Sequence, residues 1–160
     1  MRRPAYEEIR RPYRLVLAVG VVGALILLGG AVEFFHYEPP FQTSGLHARV
    51  DGIYAYDPKT REVYGRNLDH VDAGKPFAAV VDWSSLPPAL QTAGRWYLGG
   101  FATEAGGAGP GPAASLPRIV PATTDRMKFP SGRYFFVVER WSHGRPVEVL
   151  ARLSVIVGGP

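Results

Sequence analysis

The chain has 160 residues and a mass of 17.4 kDa, with 18 Lys+Arg against 14 Asp+Glu, a net charge of +4 and a pI near 9.6. That length holds one ordinary domain with appendages and excludes a multi-domain enzyme. Hydrophobic residues at 46% and aromatics at 12% exclude a wholly disordered chain, and the absence of cysteine excludes disulfides, thiolate metal centres and covalent c-type haem.

Residues 1–14 form a basic tail, in which Arg2, Arg3, Arg10, Arg11 and Arg14 oppose Glu7 and Glu8. Leu15 to Val32 then reads LVLAVGVVGALILLGGAV, 18 residues without a charge. About 18–20 apolar residues suffice to cross a bilayer, so the run, extended by Phe34 and Phe35, predicts a transmembrane α-helix over residues 15–36. Tyr13 precedes it and Phe34, Phe35 and Tyr37 follow, the placement expected of interfacial aromatics, with Arg10, Arg11, Arg14 and His36 at the same two rims. The next basic residue is Arg49, so positive charge places the N-terminus in the cytoplasm and the C-terminal domain outside the inner membrane, periplasmic or extracellular. A cleaved signal peptide is the rival reading, since Gly29-Gly30-Ala31 supplies small residues, but the apolar run exceeds the usual ~7–15. Gly20, Gly23 and Ala24 give the helix a small-residue stripe against which another membrane helix packs closely.

Residues 37–44 read as a short linker and 45–160 as an all-β domain. Leu46–Tyr56 is a predicted strand, Asp57-Pro58-Lys59-Thr60 a turn, and Glu62–Tyr64 a returning strand. In PFAAVVDW, residues 76–83, Phe77, Ala79, Val81 and Trp83 share one face. Arg95–Ala102 carries Trp96 and Leu98 on one side. Ala105–Pro117, AGGAGPGPAASLP, is too poor in bulky apolar groups to pack and reads as loop. A long loop in a small domain is often functional, which makes Gly106, Gly107, Pro110 and Pro112 the candidate partner contact.

A strand is predicted at Thr123–Phe129, and FFVVER at 135–140 suits a central strand. Ser142-His143-Gly144-Arg145 is a hairpin turn signal. Val147, Val149, Ala151, Leu153, Val155 and Val157 then alternate with Glu148, Leu150, Arg152, Ser154 and Ile156, predicting one core-facing strand. Short strands at such spacing suggest a β-sandwich. Phe129-Pro-Ser-Gly-Arg-Tyr134 resembles the tyrosine corner of immunoglobulin-like and fibronectin-III-like domains. The resemblance implies that Tyr134 is structural, its hydroxyl bonded to backbone a few residues upstream, and that Trp96 is the core tryptophan of a third strand.

Nothing in the sequence assembles a catalytic, cofactor or metal constellation. Asp69-His70-Val71-Asp72 lacks a second histidine at ligand spacing, and Ser142 and His143 are neighbours on a turn with no activating carboxylate. His47 reads as a surface residue. The tail accounts for five arginines minus two glutamates, +3 of the +4; the other 146 residues hold 13 basic and 12 acidic groups, so the pI gives no support to nucleic-acid binding. The expectation is a single-pass, non-catalytic accessory subunit of a larger integral membrane complex, energy-converting or secretory, its tail against lipid headgroups. The alternative is an independent tethered receptor or protein- or carbohydrate-binding module.

Overall fold

Residues 16–28 form an α-helix in a computed structural model that describes residues 16–28, 41, 43–103, 106–122 and 129–159. The chain divides into two units, Met1–Tyr37 and Glu38–Pro160. The helix overturns the expectation of a transmembrane helix over 15–36: among the described residues, no helix is long and apolar enough to cross a membrane. At 1.5 Å per residue the described helix is about 20 Å long, whereas a bilayer core measures about 30 Å. Residue 15 and residues 29–36 of the expected span lie outside the described residues.

The second unit is built of strands. One sheet has the order β2-β1-β4-β8, from β1 (Arg49–Asp57), β2 (Glu62–Tyr64), β4 (Phe77–Asp82) and β8 (Ile119–Pro121). The other has the order β3-β10-β9-β5-β6, from β3 (His70–Val71), β5 (Gln91–Leu98), β6 (Phe101–Ala102), β9 (Gly132–Ser142) and β10 (Arg145–Val157), with β7 (Ala108–Pro112) also pairing β5. All pairings are antiparallel except β3 on β10.

One hydrophobic cluster joins the two sheets, an arrangement compatible with a β-sandwich. Ile53, Phe77, Ala79, Val81 and Val120 come from the first sheet, and Trp96, Tyr134, Phe136, Val138, Leu150, Val155 and Val157 from the second. Trp96 sits at the centre, its ring centroid 5.2 Å from that of Phe77, 6.2 Å from Phe129 and 4.9 Å from Phe136. Phe77, Ala79, Val81 and Trp83 all face this core, as period-two alternation requires. Strand β9 buries residues 136–139 on both faces, as a central strand does.

Turn chemistry explains the connections. Between β1 and β2, Asp57 accepts from Lys59 N through its side chain and from Arg61 N through its carbonyl, both at 2.8 Å. Between β9 and β10, His143 (φ 51°) and Gly144 (φ 77°) are both left-handed, the requirement of a tight I′ hairpin.

Two sequence expectations fail here. Ala105–Pro117 is not all loop: residues 108–112 form β7 and Ala113–Ser115 a 3-10 turn. The driving force is backbone pairing to β5 (Gln91↔Pro112, Thr92↔Gly111, Gly94↔Ala108), which needs no bulky side chain. A Cβ at Gly107 would meet the Gly94 carbonyl at 2.8 Å, so glycine permits the approach. Second, the alternation of β10 breaks at a register shift between Val149 and Ala151. The extra residue turns Leu150 into the core, while Val149 joins Tyr97 and Val137 in a separate cluster. Of the predicted strand at 123–129, residues 123–128 lie outside the described residues; Phe129 is buried in the core.

Candidate functional site

The helix is apolar on every side. Val16, Leu17, Val19, Val21, Val22, Leu25, Ile26, Leu27 and Leu28 are 51% to 76% exposed. A helix packed on one core buries one stripe and leaves the rest polar; a helix apolar all round requires apolar surroundings on all sides. Gly20, Gly23 and Ala24 fall within it, and a Cβ at Gly20 or Gly23 would meet nothing within 4 Å. Arg10, Arg11, Tyr13, Arg14, Phe34, Phe35, His36 and Tyr37 lie outside the described residues.

The chain that opens the second unit is fastened to β10. Phe41 makes a parallel bridge to Val149, and Ala48 N donates to the Leu150 carbonyl at 3.1 Å. Ser44 donates to Glu148 Oε1 through its amide at 2.5 Å and its hydroxyl at 2.8 Å, while Arg140 Nε reaches Oε2 at 2.7 Å. Glu148 is wholly buried, not solvent-facing as simple alternation implies. Burial raises its pKa, but the Ser44 amide and hydroxyl, the Arg140 guanidinium and the Thr43 amide outweigh that and hold the carboxyl at about 2.

A second buried carboxylate, Glu139, lies one register position away (Val149↔Glu139 beside Glu148↔Arg140) and on the opposite face of the sheet. It accepts from the Tyr97 hydroxyl and, at 3.0 Å, from Trp141 Nε1. The Arg95 guanidinium stands 5.8 Å from the centroids of both rings, and Arg152 lies 3.9 Å over Phe135. Each carboxylate is thus engaged by one near and one distant donor, Trp141 and Tyr97 for Glu139, Arg140 and Ser44 for Glu148, as buried acidic groups require. Pointing to opposite faces, they do not form an acid–base pair.

Tyr134 is buried, its hydroxyl donating to the Pro130 carbonyl at 2.6 Å, and burial pushes its pKa up to about 12. Trp96 is buried and its Nε1 meets no hydrogen-bond acceptor among the described residues. Gly106 bridges to Ala122, while Gly107, Pro110 and Pro112 belong to or adjoin the exposed edge strand β7. His47 and His143 are exposed and apart, and His70 starts β3. Among the described residues, no group of three or more His, Asp or Glu side chains is placed to hold a metal.

Sequence reasoning passed over Glu139, Glu148 and Arg95. The available signal was a single acid inside each apolar run, FFVVER and PVEVL; a charge there needs partners, but sequence does not name them. Comparison with protein-family models, with curated proteins and with solved structures yields no match.

Proposed function

We propose that the chain is a non-catalytic accessory subunit of a larger integral membrane complex, docked through its apolar helix. The observation that carries this reading is the helix itself, with nine large hydrophobic side chains more than half exposed and no charge among residues 16–28. Burying one such side chain contributes about 1.5–3 kcal/mol, so water is its least favourable neighbour. The occupant of that surface is a set of apolar helices of the complex, approaching closest at Gly20, Gly23 and Ala24. The arginine-rich tail, residues 1–14, lies against lipid phosphates. Two carboxylates fully engaged in structural bonds support the non-catalytic part.

The second unit is read as immunoglobulin-like, of the fibronectin-III-like kind. Lettered in chain order, β1, β4 and β8 correspond to A, B and E, and β5, β9 and β10 to C, F and G. Trp96 on the third of these strands and the Tyr134–Pro130 bond support that reading.

Gentle detergent extraction of the C-terminally tagged chain, with native sizing, tests the docking. The expected result is migration far above the 17.4 kDa of the chain, in association with defined partner subunits. Gly20→Leu combined with Ala24→Leu should release it, and a wild-type chain that runs alone would refute the proposal.

A further inference from the structure

We propose that the outer face of the four-stranded sheet carries a binding site for a neutral carbohydrate, with the Tyr54 ring as its platform and Asn67 as its fixed hydrogen-bond donor. In β1, Ile53 turns into the core, so Tyr54 faces the other way, beside Ala78 and Pro121 in its row across β4 and β8. The Tyr54 side chain is folded back along its own strand: its hydroxyl donates to the Asp51 carbonyl, three residues earlier, at 3.3 Å. The ring thereby passes over Gly52, where a Cβ would come 3.1 Å from Tyr54 Cε2. Tyr54 is half-buried, with one side of its ring on the backbone and the other offered outward. Ala78 and Pro121 carry short side chains, which suits a shallow surface on which a flat ligand rests.

Asn67, an exposed residue, completes the geometry at the edge of β1. Its Oδ1 accepts from Ile53 N at 2.8 Å, and Leu68 N donates to the Ile53 carbonyl at 2.6 Å, so the amide is held in place with Nδ2 left as the donor. The same Oδ1 would lie 2.6 Å from a Cβ at Gly52, whose φ of +152° also favours glycine. The register shift between Val50 and Gly52 thus sets a glycine where it admits both the ring and the amide.

At the hydroxyl end of the ring, the Asp51 carboxylate receives Arg49 and Arg118, each at 3.3 Å, and Asp82 stands opposite Arg49 in β4. Two arginines and two aspartates balance there, so that rim does not select an ion by charge. It presents donors and acceptors together, and a hydroxyl group, being both, satisfies either kind. The negative face of an aromatic ring attracts the C–H face of a sugar ring, while a few fixed polar groups set its orientation. Ring, amide and balanced charge therefore point to a neutral, hydroxyl-rich ligand and away from a nucleic acid or an acidic peptide.

This inference concerns the second unit and is independent of the helix docking, so either can fail alone. The test is binding of the full chain, held in a detergent without a sugar headgroup, to an array of immobilised neutral and acidic oligosaccharides, followed by titration with the best soluble neutral one. Wild type should bind neutral oligosaccharides, and Tyr54→Ala should weaken that about tenfold or more. Asn67→Asp, which keeps the acceptor for Ile53 N and removes the donor, should weaken it about fivefold or more. An unaltered melting temperature in Asn67→Asp would assign the loss to the contact. Tyr64→Ala, which removes an exposed tyrosine of β2, should leave the affinity unchanged. No neutral oligosaccharide bound by wild type, preference for acidic ones, full affinity in Asn67→Asp, or equal losses in Tyr54→Ala and Tyr64→Ala would each overturn the proposal.

Discussion

Tyr134 and Trp96 lie in the same core, yet their polar edges meet different surroundings. The Tyr134 hydroxyl has the Pro130 carbonyl at 2.6 Å, whereas Trp96 Nε1 is buried with no acceptor among the described residues. Removing the Tyr134 hydroxyl deletes a bond and strands a carbonyl, so Tyr134→Phe is expected to cost about 1–2 kcal/mol, read by urea denaturation. His143 carries backbone strain of another kind. At φ 51° it occupies a conformation that costs most side chains about 1–2 kcal/mol and that Asn tolerates better. His143→Asn should therefore raise the urea midpoint, by about 0.5–1 kcal/mol in stability; a lower midpoint would show that the histidine contributes something at the turn beyond its backbone geometry. The hairpin signal at 142–145 and the bond from the Tyr134 hydroxyl to the Pro130 carbonyl were legible because each depends on residues a few positions apart. Glu139 was not: its partners Tyr97 and Trp141 are 42 and 2 residues away, and only the pairing of β5 with β9 brings Tyr97 near.

Strand β10 shows why alternation is an incomplete guide to an element. Val155 and Val157 follow it into the core, but the bulge near residue 150 inverts the faces of what precedes it. Period-two patterning cannot register an inserted residue, because valine and leucine satisfy either face. Strand β7 was invisible for the opposite reason: its stability lies in backbone bonds to β5, and AGPGP carries no pattern at all. Pro110 and Pro112 suit such an edge, since a residue without N–H offers less to an incoming strand. Gly107→Ala should loosen the edge, given φ +114° and the 2.8 Å approach to Gly94 O; amide exchange at Ala108, Gly109 and Gly111 should accelerate. The Glu148 anchor acts across 104 residues of sequence, fixing the segment around Ser44 to β10. Glu148→Gln keeps the shape and loses the carboxylate charge that accepts from Arg140 and Ser44, so amides at 44–48 should lose protection first, ahead of the core.

At the scale of the whole chain, the acid limb of stability follows from the same anchor. Glu148 titrates at about 2 when folded against an ordinary 4.5, so folding favours its ionised form. That contribution is complete above pH 4.5 and is lost as pH falls through 2; Glu148→Gln should flatten the pH dependence of the melting temperature in that window. Tyr134 sets the alkaline limb with the opposite sign. Its pKa rises from 10 to about 12, so its share of stability is full below pH 10 and is lost as pH climbs toward 12. Composition located the apolar stretch and the near-neutral remainder correctly as sequence, but it overstated the helix: residues 16–28 are helical, short of a span. Uniform hydrophobicity specifies an apolar environment, not a length of regular structure, which is why the run alone did not settle the element. The central claim is that this exposed apolar helix is the seat of docking on partner helices, and site-specific photo-crosslinking in intact membranes tests it most directly. With a photoreactive residue at Leu17 or Leu27 of the full chain, the account predicts one discrete heavier protein adduct from each position; adducts to lipid alone, or none, would contradict it.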